Sequence, residues 1–424
     1  MSAGAGGGAV LFIESNTSGT GRLFVQAARA LGRRPVLVTA RPEKYAYLSR
    51  PDAPEVIVVP RVDEDALHDL VQRRFADGAG VAGVTSSSEY FIATAAALAA
   101  RLGLPGPDAA AVRAARDKSH QREALAAGGV AAPAFRAVRT ADEAVRAARE
   151  IGFPVVLKPV GGSGSVGVRA CAGADQVERH AAALLASAEG ERVLVEALVE
   201  GPEFSVEVFS GRVIGITRKH LGAPPAFVEA GHDYPAAVPA DVARALTEAV
   251  ARGTEILRLG WGPLHWELRM RGGTAVPIEV NPRLAGGFIP ELVRHAEGID
   301  LIRETLRLVV GERPEPAPLH RRHASIRFLF APGAGRLAAV EGVEEARAGP
   351  DVVDVALYRA VGDEIDVHGD FRDRIGHAIA CADSFDAACA AAEAARGAVR
   401  IRVRAPEGGA APRTEAEEAV RSAP

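Results

Sequence analysis

Two short segments of this chain alternate polar and apolar residues so regularly that each fixes the position of the other. Leu264-His265-Trp266-Glu267-Leu268-Arg269 and Pro277-Ile278-Glu279-Val280-Asn281 flank Arg271-Gly272-Gly273-Thr274. This is the pattern of two antiparallel strands joined by a glycine turn. With the hairpin centred on Gly273, Glu267 faces Glu279, with Cβ atoms about 5 Å apart. Sliding the register by one residue puts Glu267 opposite Ile278 and mixes the polar and apolar faces. Facing carboxylates repel unless a cation or a shared proton lies between them, and Asn281 adds a third oxygen on the face of Glu279. Such hard donors suit Mg²⁺ (or Mn²⁺) held jointly by protein and phosphate oxygens. A solvated hairpin face would also tolerate the repulsion. Arg283 follows, and then Gly286-Gly287 opens a helix. A guanidinium and helix-terminal amides there can neutralise charge developing on a carboxyl or tetrahedral oxygen, although a surface ion pair is the plainer use of an arginine.

Basic residues are nearly all arginine, so the few lysines are informative: they are Lys44, Lys118, Lys158 and Lys219. Lys158 ends the apolar run Phe153-Pro-Val-Val-Leu and enters a loop containing Gly161, Gly162, Ser163, Gly164, Ser165 and Gly167. Glycines let successive amides converge on phosphate oxygens, and the lysine adds a point charge. The lysine precedes the glycines, so this is not a P-loop. A flexible hairpin tip beside a surface lysine is the bland alternative. A third segment runs Val193-Leu-Val-Glu196-Ala197-Leu198-Val-Glu200-Gly-Pro-Glu203. Amides of such a connector can pair with an adenine edge, and a carboxylate beyond it can accept ribose hydroxyls. Alone this signal is weak.

Elsewhere the pattern sets the organisation. Strands are expected at Ala9–Glu14, Pro35–Thr39, Glu55–Val59 and Val81–Thr85, with helices from Gly21 to Leu31 and from about Glu89 to Leu102. This alternation indicates a parallel sheet with crossover helices. Gly19-Thr20-Gly21 is only a fragment of a dinucleotide fingerprint and reads as a tight turn. A helix carrying Asp117-Lys118-Ser119 and another over about Ala141–Ile151 come next. Residues 153 to 282 read as strand-rich, and a helical region runs from Gly286 to Val310. Domain limits are expected at 1–107, 108–318 (a small lobe over about 130–200 and a large lobe over about 201–318) and 319–405. The tail 406–424 is expected to be disordered.

The 424 residues call for more than one core, and a formal charge of −4 gives no basic field for nucleic acid. No apolar stretch is long enough to span a membrane and no basic leader precedes the first strand, so a cytoplasmic protein is expected. Cys171, Cys381 and Cys389 have no metal-ligand spacing and read as buried small side chains.

Taken together and in their order along the chain, the three segments resemble the ATP-grasp superfamily, closest to its amino-acid (dipeptide-forming) ligase branch. The resemblance covers roughly residues 10 to 310. It implies an N-terminal parallel α/β (pre-ATP-grasp) domain, a two-lobed α+β ATP-grasp fold and a C-terminal α+β lid-like extension. It would put Lys118, Lys158 and the glycine loop on the phosphates of ATP, with Lys219 nearby. It would put Glu196, Ala197 and Leu198 at adenine, Glu203 on the ribose, and Mg²⁺ on Glu267, Glu279 and Asn281. Phe227-Val-Glu229-Ala-Gly-His232-Asp-Tyr-Pro235 looks like the branch's substrate-facing stretch, with Glu229, His232, Gly286 and Gly287 at the substrate and Arg283 at an acyl phosphate. The reaction implied joins a small-molecule carboxylate to an amine, with release of ADP and phosphate. Glu229 and His232 are the candidates for a base toward the amine. A homodimer fits the superfamily. A carboxylase or ligase using bicarbonate or a non-amino-acid carboxylate, and a nucleotide-binding sensor without turnover, are the alternative readings.

Overall fold

A computed structural model describes residues 7–17, 20–75, 80–187, 191–222 and 225–405. Gly19 of the expected turn and the tail after residue 405 lie outside the described residues. Strands β1 (Gly7–Ile13), β2 (Arg33–Thr39), β3 (Glu55–Val58) and β4 (Val81–Thr85) form a parallel sheet in the order β3-β2-β1-β4. Their apolar runs make a core with Leu67, Val71 and Leu98 from the crossover helices. The helix after β4 is Ile92–Arg101, three residues later than its alanines suggest, which frees Glu89 to project from the preceding loop.

β5 (Phe135–Val138), β6 (Val155–Pro159), β7 (Arg169–Cys171) and β8 (Val193–Ala197) form a small antiparallel sheet in the order β5-β8-β6-β7. Helices Ala141–Ile151 and Ala174–Leu185 cover it. Thr140 and Glu143 close a reciprocal cap on the first of these helices.

The large sheet carries β9 (Glu203–Phe209), β10 (Arg212–Leu221), β11 (Glu229–Tyr234), β12 (Pro263–Arg271) and β13 (Thr274–Asn281). It continues through β14 (His323–Phe330). Beyond that come β15 (Gly335–Glu341), β16 (Val352–Leu357), β17 (Glu364–Ile365), β18 (Arg374–Ala382) and β19 (Arg400–Arg404). The order β13-β12-β9-β10-β11-β14-β18-β16 shows that the C-terminal segment extends the large lobe's own sheet, while β17-β15-β19 form a small separate one. The segment expected to be strand-rich also holds two helices, Ala174–Leu185 and Ala240–Ile256. Their alanine-rich apolar faces repeat at helical spacing, and the glycine turns nearby obscured that period.

Candidate active site

The facing strands β12 and β13 divide their residues between core and cavity. Leu264, Trp266 and Leu268 are buried against the helix Ala240–Ile256, each contributing about 1.5–3 kcal/mol by burial. His265, Glu267 and Arg269 alternate with them and line a cavity of about 1200 Å³. Glu267 is paired with Glu279. The turn itself differs from the expected one. It is the two-residue Gly272-Gly273, both at positive φ, between Arg271 and Thr274. An irregularity between Glu267 and Leu268 then leaves Ile278 as an extra residue and restores the Glu267–Glu279 pairing.

Each of these carboxylates meets a different lysine. Lys219 Nζ lies 3.2 Å from Glu267 and Lys118 Nζ lies 3.0 Å from Glu279. Asp117 caps the helix that Lys118 begins by accepting from the amides of Ser119 and His120, so the lysine is fixed at the cavity wall. Lys118 Nζ also donates to the carbonyl of Gly162, in the glycine loop. Asn281 is buried, and in the amide orientation that satisfies it, its nitrogen donates to Glu279 (3.2 Å) and Glu89 (3.1 Å). Among the described residues no group of three or more His, Cys, Asp or Glu side chains is placed to cage a metal. Glu267 and Glu279, with the Asn281 amide turned to present its oxygen, would suit a hard cation completed by phosphate oxygens and water.

Lys158 lies fully inside. Its Nζ is 2.5 Å from Glu196, whose other oxygen accepts from Arg122 Nε at 3.0 Å. Burial pulls the lysine's pKa down, and Glu196 resists this. Glu196 is thus the lysine's partner, and the amides of the next two residues are also engaged: Ala197 donates to Ala134 and Leu198 to Pro154. Ser163 donates to Tyr90, and the Gly164 backbone lies against the Phe371 ring of the C-terminal segment. Gly161, Gly162, Ser165 and Gly167 belong to the same loop, which is held from below by Arg116 on the Gly161 carbonyl at 2.7 Å.

On the other side of the hairpin, Lys219 gathers three carboxylates: Glu203 at 3.1 Å, Glu229 at 2.6 Å and Glu267 at 3.2 Å. Glu203 also accepts from Arg269. Burial works against the charge of Glu229, yet Lys219 and Arg374 hold its carboxyl well below the usual carboxylate range. Arg374 donates to Glu229 at 2.7 Å and lies over the Phe328 ring. His232 is fully buried, with neither ring nitrogen hydrogen-bonded in the structure. Burial pushes its pKa down to about 3 against the pull of Glu229. Gly287, at φ +59, brings its backbone so close that a Cβ there would stand 2.5 Å from His232 Nε2. Gly286 lines the same cavity.

Four residues that sequence reasoning did not single out complete the site. Glu89 pairs with both Arg283 and Arg116, and Arg283 Nη1 also donates to the Leu284 carbonyl at 2.9 Å. Arg122 anchors Glu196. His265 bridges Glu207 (3.0 Å) and Glu267 (3.1 Å). Burial opposes its charge, but the two carboxylates raise its pKa to about 9. Arg374 arrives from β18. A polar residue alternating within the apolar strand was a visible signal only for His265.

Three parts of the chain match known family models. Residues 25–106 match the ATP-grasp N-terminal domain, 151–291 the ATP-grasp domain and 327–404 the L-amino acid ligase C-terminal domain 2. The chain is 40% identical over 382 residues to the uncharacterized protein y4rH of Sinorhizobium fredii, covering 89% of this chain and 79% of that one. It is 30% identical to carnosine synthase 1 of Gallus gallus over 77% of this chain, and the match spans only 39% of that longer relative. The L-amino acid ligase of Bacillus licheniformis has the same fold, with a TM-score of 0.81, 22% identity, and coverage of 94% of this chain and 99% of that one. No helix among the described residues is long and apolar enough to cross a membrane. The chain belongs to the ATP-grasp superfamily of ATP-dependent ligases, on the branch that carries the L-amino acid ligase C-terminal domain.

Proposed function

We propose that this protein uses Mg·ATP to activate the carboxylate of one amino-acid-like substrate and joins it to the amine of a second, releasing ADP and phosphate. One observation carries the reading. Contacts run from the glycine loop through Lys118 to Glu279 and from Glu267 through Lys219 and Glu229 to Arg374, and strand pairing sets Glu279 opposite Glu267. Groups suited to phosphate, divalent cation and amino acid thus line one cavity, which supports the reading. The segment matching the L-amino acid ligase domain supplies Arg374.

In this reading Lys118, Lys158 and the glycine-loop amides take the charge of the transferred phosphoryl group, and positioning does most of the work. Glu267, Glu279 and Asn281 would hold Mg²⁺, which supplies charge neutralisation on the phosphates when bound. Arg283, kept in place by Glu89, faces the acyl phosphate and then the tetrahedral oxyanion. Glu229 and neutral His232 contact the amino-acid substrate beside Gly286 and Gly287. Hydroxylamine provides the test. Incubation with Mg·ATP, an amino acid and hydroxylamine should give ADP and the amino-acid hydroxamate. ADP release stimulated by bicarbonate alone, with no hydroxamate from any amino acid, would move the reading to a carboxylase.

A further inference from the structure

An ammonium must lose a proton before its nitrogen can attack, so an acceptor has to reach the cavity. The two groups that the sequence offers are both committed elsewhere. Glu229 is held by Lys219 and Arg374, and burial leaves His232 a poor proton acceptor, with its pKa near 3.

Another group of side chains meets the need. Tyr358 lines the cavity, and its hydroxyl lies 2.6 Å from His377 Nδ1. His377 Nε2 lies 2.9 Å from Asp354 Oδ2. A carboxylate only accepts, so Nε2 carries the hydrogen and Nδ1 is left to accept from the phenol. The exposures follow the same direction: Tyr358 is 37% exposed, His377 is buried, and the Asp354 side chain is 50% exposed. One end therefore opens to the cavity and the other to solvent. Phe288, which follows Gly286-Gly287, packs 4.4 Å from the His377 ring and nearly parallel to Tyr358. This puts the phenol beside the segment that carries Arg283.

The charged neighbours suit a relay. Burial raises the Tyr358 pKa; Arg374 works against this and Asp354 adds to it. Such a phenol passes a proton on only as it receives one. The His377 hydrogen bond is the main cause holding Asp354 ionised, with burial opposing and His295 and Arg347 assisting. His295 itself faces Arg294, Glu291 and Asp354; burial and Arg294 lower its pKa, and the two carboxylates oppose this.

We propose that Tyr358, His377 and Asp354 form the proton relay that serves the attacking amine, a role that rests on the ligase reading. The amine proton passes to the Tyr358 oxygen as the phenol proton passes to His377 Nδ1. Asp354 stabilises the imidazolium, and the proton leaves to solvent. The C–N bond forms, the C–O bond to phosphate breaks, and phosphate departs with the electron pair. Of the two protons that the ammonium gives up on becoming an amide, one leaves on phosphate and the other travels this relay.

The test compares two nucleophiles on the full-length protein. Hydroxylamine is neutral at neutral pH and attacks without first losing a proton to the enzyme. In Tyr358→Phe and His377→Gln, amide synthesis should fall about a hundredfold while hydroxamate formation is unchanged, and raising the pH should restore part of the amide rate. Equal loss of both products would reduce the triad to a structural role. Unchanged amide synthesis in Tyr358→Phe, which removes a single oxygen and keeps the ring packing, would overturn the relay even if His377→Gln misfolds. A wild-type protein that makes neither product overturns the ligase reading, and the relay with it.

Discussion

Glu267 and Glu279 stand opposite one another on adjacent strands, and two separate lysines, Lys219 and Lys118, satisfy them from opposite sides. In the proposed reading a divalent ion would sit between these paired carboxylates. Glu279→Gln removes one ligand charge while keeping the shape. It should lower kcat by roughly a hundredfold or more and shift the Mg²⁺ dependence to higher concentration. A Mg²⁺ titration of ADP release checks this.

Lys219 is the hub of the buried charges. Replacing it by Met leaves Glu203, Glu229 and Glu267 facing one another without their shared cation. Breaking a buried pair costs about 3–5 kcal/mol, so the chemical-denaturation midpoint should fall markedly. Loss of activity without loss of stability would show that solvent reaches these carboxylates.

Gly287→Ala meets two obstacles, a φ of +59 and a Cβ 2.5 Å from His232 Nε2. The segment must move away from His232. The predicted outcome is a raised KM for the amino-acid substrate and an unchanged KM for ATP, both read from steady-state kinetics.

Asp233 ties β11 to β14 through Ser325 (2.6 Å) and Arg327 (2.8 Å), and it also pairs with His220. Burial would raise its pKa, but the His220 and Arg327 contacts drive it well below the ordinary 3.8. A carboxylate depressed in the folded state stabilises above its unfolded pKa, and that stability is lost as pH falls through the folded one. Asp233→Asn should therefore cost about 1.5–3 kcal/mol at pH 7, and the gap to wild type should narrow steadily below about pH 4. Paired urea melts at the two pH values measure it.

Local pattern carried the reading wherever function and secondary structure shared a period. Ala141–Ile151 and Val81–Thr85 occupy their expected spans, and the alternation around Glu267 located its partner strand. The glycine turn was misplaced by half a residue, because a bulge leaves no composition signal when the extra residue is an ordinary Ile278. Glu89, Arg122, Arg374 and the Tyr358–His377 pair were not legible, since each acts across long stretches of chain. Arg283 and Glu89 are 194 positions apart, and only the folded sheets bring them together. The continuity of β14 with β11 was likewise hidden by the Pro-rich segment Glu312–Pro318, which reads as a linker although the sheet resumes soon after it.

The central claim is tested most directly by measuring ADP and phosphate release with Mg·ATP across single amino acids and all pairwise mixtures, with mass spectrometry of the products. The account predicts release that depends on a pair and a new product at the summed mass less one water. Release that no pair stimulates, from a protein that binds ATP, would contradict it.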